Sequence, residues 1–225
     1  MGLSVSVGIL AELAGRDAEG YDYHQRQFAH LNQALLDEGQ PHHQEPEGPS
    51  GRAPWSCAMW GYSGLHYLRR VAAYLWADQP LPSPGTEDDV RDPMRDPFVD
   101  RATSLVYSPS HPSAAPHLIW HSDAQGYYLP RALPEVLFPA SEFKVPGGMI
   151  GSALALQEEC ACLANALEIP EGLDPEAPEF WEAASQQGYP SASRWRMYGI
   201  ETFTCLRLLH ASEIALESGC AMVFH

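Results

Sequence analysis

His117-Leu118-Ile119-Trp120-His121-Ser122-Asp123-Ala124-Gln125-Gly126-Tyr127-Tyr128-Leu129-Pro130 is the stretch on which the fold turns. A short apolar run, a polar turn ending in glycine and a second aromatic run read as a β-hairpin. Asp123 to Gly126 suits a type I turn with Gly126 in the left-handed region, which makes a bulge, and the Asp123 carboxylate caps the turn. Strand alternation then sends Trp120 and His121 to opposite faces, and Tyr127 and Tyr128 likewise. The hairpin also gathers chemistry. His121 falls two residues from Asp123, and a neutral imidazole oriented by a carboxylate is what proton transfer requires. The candidate catalytic set is therefore His121, Asp123 and Tyr128, in a hydrolase-like role. A plain turn with satisfied side chains explains the same residues, since His-x-Asp is a common spacing.

Outward from this stretch, strands are few and helices many. Leu3 to Val7 alternates as a strand, with Leu3, Val5 and Val7 on one face and Ser4 and Ser6 on the other. Ile9 to Ala14 begins a helix. Asp17 to Glu38 is a helix by the recurrence of Phe28, Leu31, Ala34 and Leu35, closed by Gly39 and Pro41. Ser63 to Asp78 is another, with Ser63 as its N-cap and Leu65, Leu68, Ala72 and Leu75 in its stripe. A helix from about Ser152 to Glu168 carries Glu158 and Glu159 outward. Ser193 to Glu217 is the longest, capped by Gly219, and Ala221 to Phe224 is a short terminal strand. The pattern predicts an α+β fold: a small mixed or antiparallel sheet packed by four to five helices. It forms a single domain over residues 1–225, with exposed Pro-rich acidic loops near 79–100 and 170–182.

Composition narrows the function. Thirteen Lys and Arg stand against 29 Asp and Glu, a formal charge of −16. That field repels phosphate backbones and no basic stripe offsets it, so nucleic acid is excluded as a ligand. An anionic membrane surface is disfavoured for the same reason, and no apolar stretch reaches the length of a membrane span. Opposite fields steer association, so a cationic protein partner is expected. Its binding surface would be Glu87, Asp88, Asp89 and Asp92 in the first acidic loop and Glu171, Asp174, Glu176 and Glu179 in the second.

Other motifs stop short of a site. Cys57, Cys160, Cys162, Cys205 and Cys220 form no CxxC pair and read as small buried thiols in a reducing cytoplasm. Ser63 in Gly-Tyr-Ser-Gly fails the nucleophile-elbow spacing. Pro146-Gly147-Gly148-Met149-Ile150-Gly151-Ser152 is neither a dinucleotide nor a Walker loop and reads as a tight turn into a Ser-capped helix. His210 and Glu213 share a helix face without the second copy that a di-metal bundle needs. No metal and no cofactor is expected.

The segments HSDAQGYYLP, PGGMIGS and GLSVSVG together resemble an uncharacterised family of soluble bacterial proteins of similar length, over most of the chain. The resemblance implies a bacterial cytoplasmic protein and carries over no activity. Small acidic proteins of this kind are similar to immunity proteins, which neutralise a basic toxin. The leading expectation is thus a non-enzymatic, immunity-type binding protein. Alternatives are the hydrolase centred on His121 and Asp123, and a homo-oligomeric assembly protein with an aromatic interface.

Overall fold

The computed structural model describes residues 3–47, 54–85, 92–105, 116–185 and 193–225. The chain divides into two compact units, each assembled from separate segments. One comprises residues 59–120 and 156–210, and the other residues 3–58, 121–155 and 211–225.

The second unit holds the sheet. Strands β1 (Ser4–Val7), β2 (Trp55–Ala58), β3 (Gly126–Leu129), β4 (Ile150–Ser152) and β5 (Met222–Phe224) lie in the order β2-β1-β5-β3-β4. Only β3 and β4 run parallel, so the sheet is mixed. The α+β expectation holds. β5 and β3 are buried on both faces, and their sequences Met-Val-Phe and Gly-Tyr-Tyr-Leu carry no charge. β2, at the edge, alternates between half-buried and exposed residues.

Helix α1 (Ile9–Leu13) follows a left-handed Gly8. Helix α2 (Ala18–Asp37) is capped by Asp17, whose carboxylate accepts from Gly20 N at 2.9 Å. Its buried stripe of Phe28, Leu31, Ala34 and Leu35 joins a core with Tyr127, Leu129, Ile150 and Val223. After α2 the chain is pinned by a buried polar set. The Asn32 side chain accepts from His43 N and donates to His43 O. Glu45 Oε2 lies 2.7 Å from His43 Nε2 and accepts from Ala221 N at 2.8 Å. Both contacts fall on one carboxylate oxygen, Oε2, whereas Oε1 is buried without a hydrogen-bond partner among the described residues.

The first unit is helical. It holds α3 (Gly61–Trp76), a 3-10 turn at Pro93–Arg95, α4 (Pro97–Ser104), α5 (Pro116–Trp120), α7 (Pro178–Ser185) and α8 (Arg194–Met197). The division between units falls inside α6 (Ala153–Ala166) and α9 (Gly199–Ser218). Tyr67, Phe180, Trp195, Ile200 and Phe203 form this unit's apolar cluster.

Four readings need correction. The apolar run before the turn is helix α5 and not a strand, so there is no hairpin. Its first backbone N–H groups, which an isolated helix leaves unmade, are met by a carboxylate: Glu159 accepts from His117 N at 3.2 Å and Leu118 N at 2.7 Å. Arg69 Nε donates to Leu118 O and Trp120 Nε1 to Ala102 O, which fixes the far side of the turn. Glu159 is accordingly buried, not outward. The cap position of α3 is Trp60, and Ser63 Oγ donates back to Trp60 O. The long C-terminal helix is broken at Tyr198. Gly199 there packs so closely on the Ala183 carbonyl that no Cβ would fit, and Tyr198 OH donates to Pro82 O at 2.6 Å. The described residues contain nine helices, more than expected, because the acidic and Pro-rich segments hold short ones.

Candidate functional site

The turn that suggested catalysis is packed shut. His121 is 2% exposed and stacks on Tyr128, with ring centroids 4.0 Å apart and planes 23° apart, and meets Phe224 edge-on. Its Nε2 lies 3.0 Å from Tyr127 O and its Nδ1 3.1 Å from Ser122 O. Both partners are acceptors, so a neutral ring donates to only one of them, and the stacking on Tyr128 and Phe224 holds the imidazole as a packing element. Gly126, at φ +132°, is required here: a Cβ would stand 2.7 Å from His121 Cε1. Tyr128 is 1% exposed and Asp123 half-buried. Burial pushes the neighbouring Tyr127 phenol far up, so it stays neutral.

The acids behave otherwise. Glu158, Glu159, Glu168, Glu171, Asp174, Glu176, Glu179 and Glu182 follow one another with no Lys, Arg or His between Lys144 and Arg194. Two residues past the end of α6, Glu168 takes a left-handed φ of +58°, which stops the helix. Glu171, Asp174, Glu176 and Glu182 are exposed and Glu179 is half-buried. Glu179 and Glu182 lie three apart on α7, which puts their side chains on one helix face. Between them Trp181 is 41% exposed.

That tryptophan is held from beneath. Its ring meets Phe203 at 4.7 Å and Trp60 at 6.0 Å between centroids. The Arg207 guanidinium lies 5.0 Å from the Trp181 ring and 4.3 Å from the Phe203 ring. Arg207, itself 2% exposed, donates to Glu176 at 2.9 Å. A buried cation between two rings is stabilised by their π faces and by its carboxylate partner. Arg194 pairs with Glu168 at 3.0 Å and donates to Ala166 O, closing the end of α6. Asp174 accepts from Glu176 N. The segment is therefore an ordered acidic surface with an aromatic centre.

Glu159 differs from its exposed neighbours. Burial pushes its carboxyl up to about 8, against the pull of the two backbone N–H groups it accepts. The sequence carried a signal for this: Leu156, Cys160, Leu163 and Leu167 form the buried stripe of α6, and position 159 flanks it by three and four residues. Arg207, whose position beneath Trp181 joins two distant segments, had no such signal.

In the first acidic segment Glu87, Asp88 and Asp89 lie outside the described residues. Asp92 accepts from Met94 N at 3.0 Å and stands 3.8 Å from Arg95 Nε. Asp96 caps α4 through Phe98 N and accepts from Tyr74 OH. Among the described residues no group of three His, Cys, Asp or Glu could hold a metal ion, and no helix is long and apolar enough to cross a membrane. None of the five cysteines forms a disulfide; Cys160, Cys205 and Cys220 are buried, Cys57 half-buried and Cys162 exposed.

Fold and composition together define an acidic α+β protein. Residues 1–224 match the family described as "Putative DNA-mimic protein", and the chain belongs to that family. No curated protein and no solved structure matches the chain. Family membership corrects two expectations. The immunity-type reading, with its hydrolase and assembly alternatives, gives way to a family defined by imitation of DNA. The separation of this chain from DNA is also corrected, since the family's description names DNA as what its members imitate.

Proposed function

We propose that this protein takes the place of DNA on a DNA-binding protein, and that the segment 168–182 supplies the surface that imitates the phosphate backbone. Duplex DNA carries about one negative charge per 1.7 Å of axis, and its binders meet that charge with Lys and Arg. A carboxylate offers the same cation-seeking oxygens. The observation that carries the reading is the run of carboxylates from Glu168 to Glu182, uninterrupted by any basic residue in sequence, in a chain of this family. Glu171, Asp174, Glu179 and Glu182 are the phosphate surrogates, whereas Glu176 is paired with Arg207. Trp181 is the anchor, because an exposed aromatic ringed by charge is the usual centre of a protein–protein contact. Such a protein works in the cytoplasm, alongside the DNA-binding protein it occupies.

The test is competition. The purified protein is immobilised and host proteins are passed over it at fixed ionic strength, then eluted with a duplex oligonucleotide. The expected result is a small set of proteins that the duplex releases and that a DNA column also retains. Retained proteins that a duplex cannot release, or that never bind DNA, would overturn the reading.

A further inference from the structure

We infer that the sheet-bearing unit carries a binding cavity for a guanidinium or alkylammonium group. It stands on different residues from the acidic segment and does not rest on the DNA-mimic reading. The cavity measures about 410 Å³, within the roughly 300–1,000 Å³ of small-molecule sites. Its floor is the polar face of β1 and β2. Ser4, Ser6, Ser56 and Ala58 line it there, because the two strands pair Ser6 with Ser56 and Ser4 with Ala58. Glu12 and Leu13 of α1, and Asp17 and His24 around the start of α2, form further walls, and His225 completes them.

Donor and acceptor accounting selects the ligand. The lining holds two carboxylates, three serine hydroxyls and two imidazoles, and it holds no Lys or Arg. His225 Nε2 lies 2.8 Å from Ser6 Oγ. Burial lowers the pKa of both His24 and His225, and their mutual repulsion lowers His24 further, against the opposing pull of Glu12 on His225. With neutral imidazoles the lining holds no cation to offset Glu12 and Asp17, and although Asp17 accepts from Gly20 N the field is negative. An anion is repelled and an uncharged apolar ligand would strand the hydroxyls. A cation rich in N–H donors satisfies both, with Glu12 as the partner of its charge and Ile9, Leu13 and Ala58 receiving an alkyl stem.

The head group comes either from a free small amine or guanidine, or from an arginine side chain of a bound protein. Two probes separate them: agmatine, and the peptide acetyl-Gly-Arg-Gly-amide. Imidazole proton resonances of His24 and His225 are followed while each probe is titrated into the full chain at constant ionic strength. Saturable shifts of both rings are expected with agmatine, weakened about tenfold in Glu12→Gln and abolished in Ala58→Phe, which fills the floor. Equal saturation by the peptide identifies an inserted arginine side chain, and saturation by agmatine alone identifies a free ligand. No saturable shift with either probe overturns the inference. So does a titration unchanged in both variants. Because no DNA-binding protein is present, this result and the duplex competition fail or succeed separately.

Discussion

Two acidic segments of the helical unit look alike in sequence and use their charges in opposite ways. In residues 92–100 the carboxylates are spent on the fold: Asp92 and Asp96 each accept a backbone N–H at a helical start, and Asp96 also receives the Tyr74 hydroxyl. Arg95 and Arg101 follow at once. In residues 168–182 Glu168 and Glu176 meet arginines, whereas among the described residues no ion pair reaches Glu171, Glu179 or Glu182. Acid count therefore says little about interaction. What separates the segments is whether a carboxylate finds a donor inside its own chain; one that does not still has its full charge to offer a partner.

The sharpest way to break this contrast is Glu159, an acid of the second stretch that works like those of the first. Its folded pKa of about 8 stands above the ordinary 4.5 of an unfolded chain. Between those values the folded protein holds a proton that the unfolded chain releases. Stability should thus decline as pH rises from 4.5 to 8 and level off beyond, by a few kcal/mol, an order-of-magnitude figure. Glu159→Gln should abolish that slope in urea unfolding at pH 5 and pH 8. Parallel pH dependence in the two proteins would mean that burial does not raise the Glu159 carboxyl.

Next in size is the loss of binding. Neutralising Glu171, Asp174, Glu179 and Glu182 together to Gln or Asn should weaken a captured DNA-binding protein by about 2 kcal/mol, roughly thirtyfold, while leaving the urea midpoint unchanged. A destabilised but fully binding variant would reverse the assignment. Asp96→Ala should cost about 1–2 kcal/mol of stability, from a lost cap and an orphaned Tyr74 hydroxyl, and nothing in binding. Asp92→Ala is the smallest, at about 0.5–1 kcal/mol in stability for an exposed cap. Binding lost on either change would extend the interaction surface into the first segment.

Much of the fold was legible. Helices α2, α3 and α6 declared themselves by a 3.6-residue stripe, and β1 by alternation with its serines outward. Those serines now floor the cavity, although nothing local showed that β2 would pair beside them. The Trp55–Ala58 strand carries no comparable signal, because four residues at a sheet edge make no run long enough to register. The Leu118–Trp120 run reads as a strand because a short apolar stretch has no period, and the donor-hungry helix start it forms is satisfied from Glu159, some forty residues away. The net charge was plain from composition. Its use was not, since pairing with Arg194 and Arg207 is decided by tertiary placement.

The sheet order also bears on how the chain is made. β5 lies between β1 and β3, yet it is the latest of the five strands in chain order, and Ser4 exchanges backbone hydrogen bonds with His225. On a ribosome that adds roughly 5–20 residues each second, β1 and β2 wait as a two-stranded remnant until residues 222–224 emerge. Through that interval the backbone edge of β1 is an open template for any other strand. Ordering of the sheet is thus deferred until residues 222–224 have been made, and a nascent chain cut short before β5 would be left with two unjoined half-sheets and exposed apolar faces, the kind of product that chaperones and proteases remove.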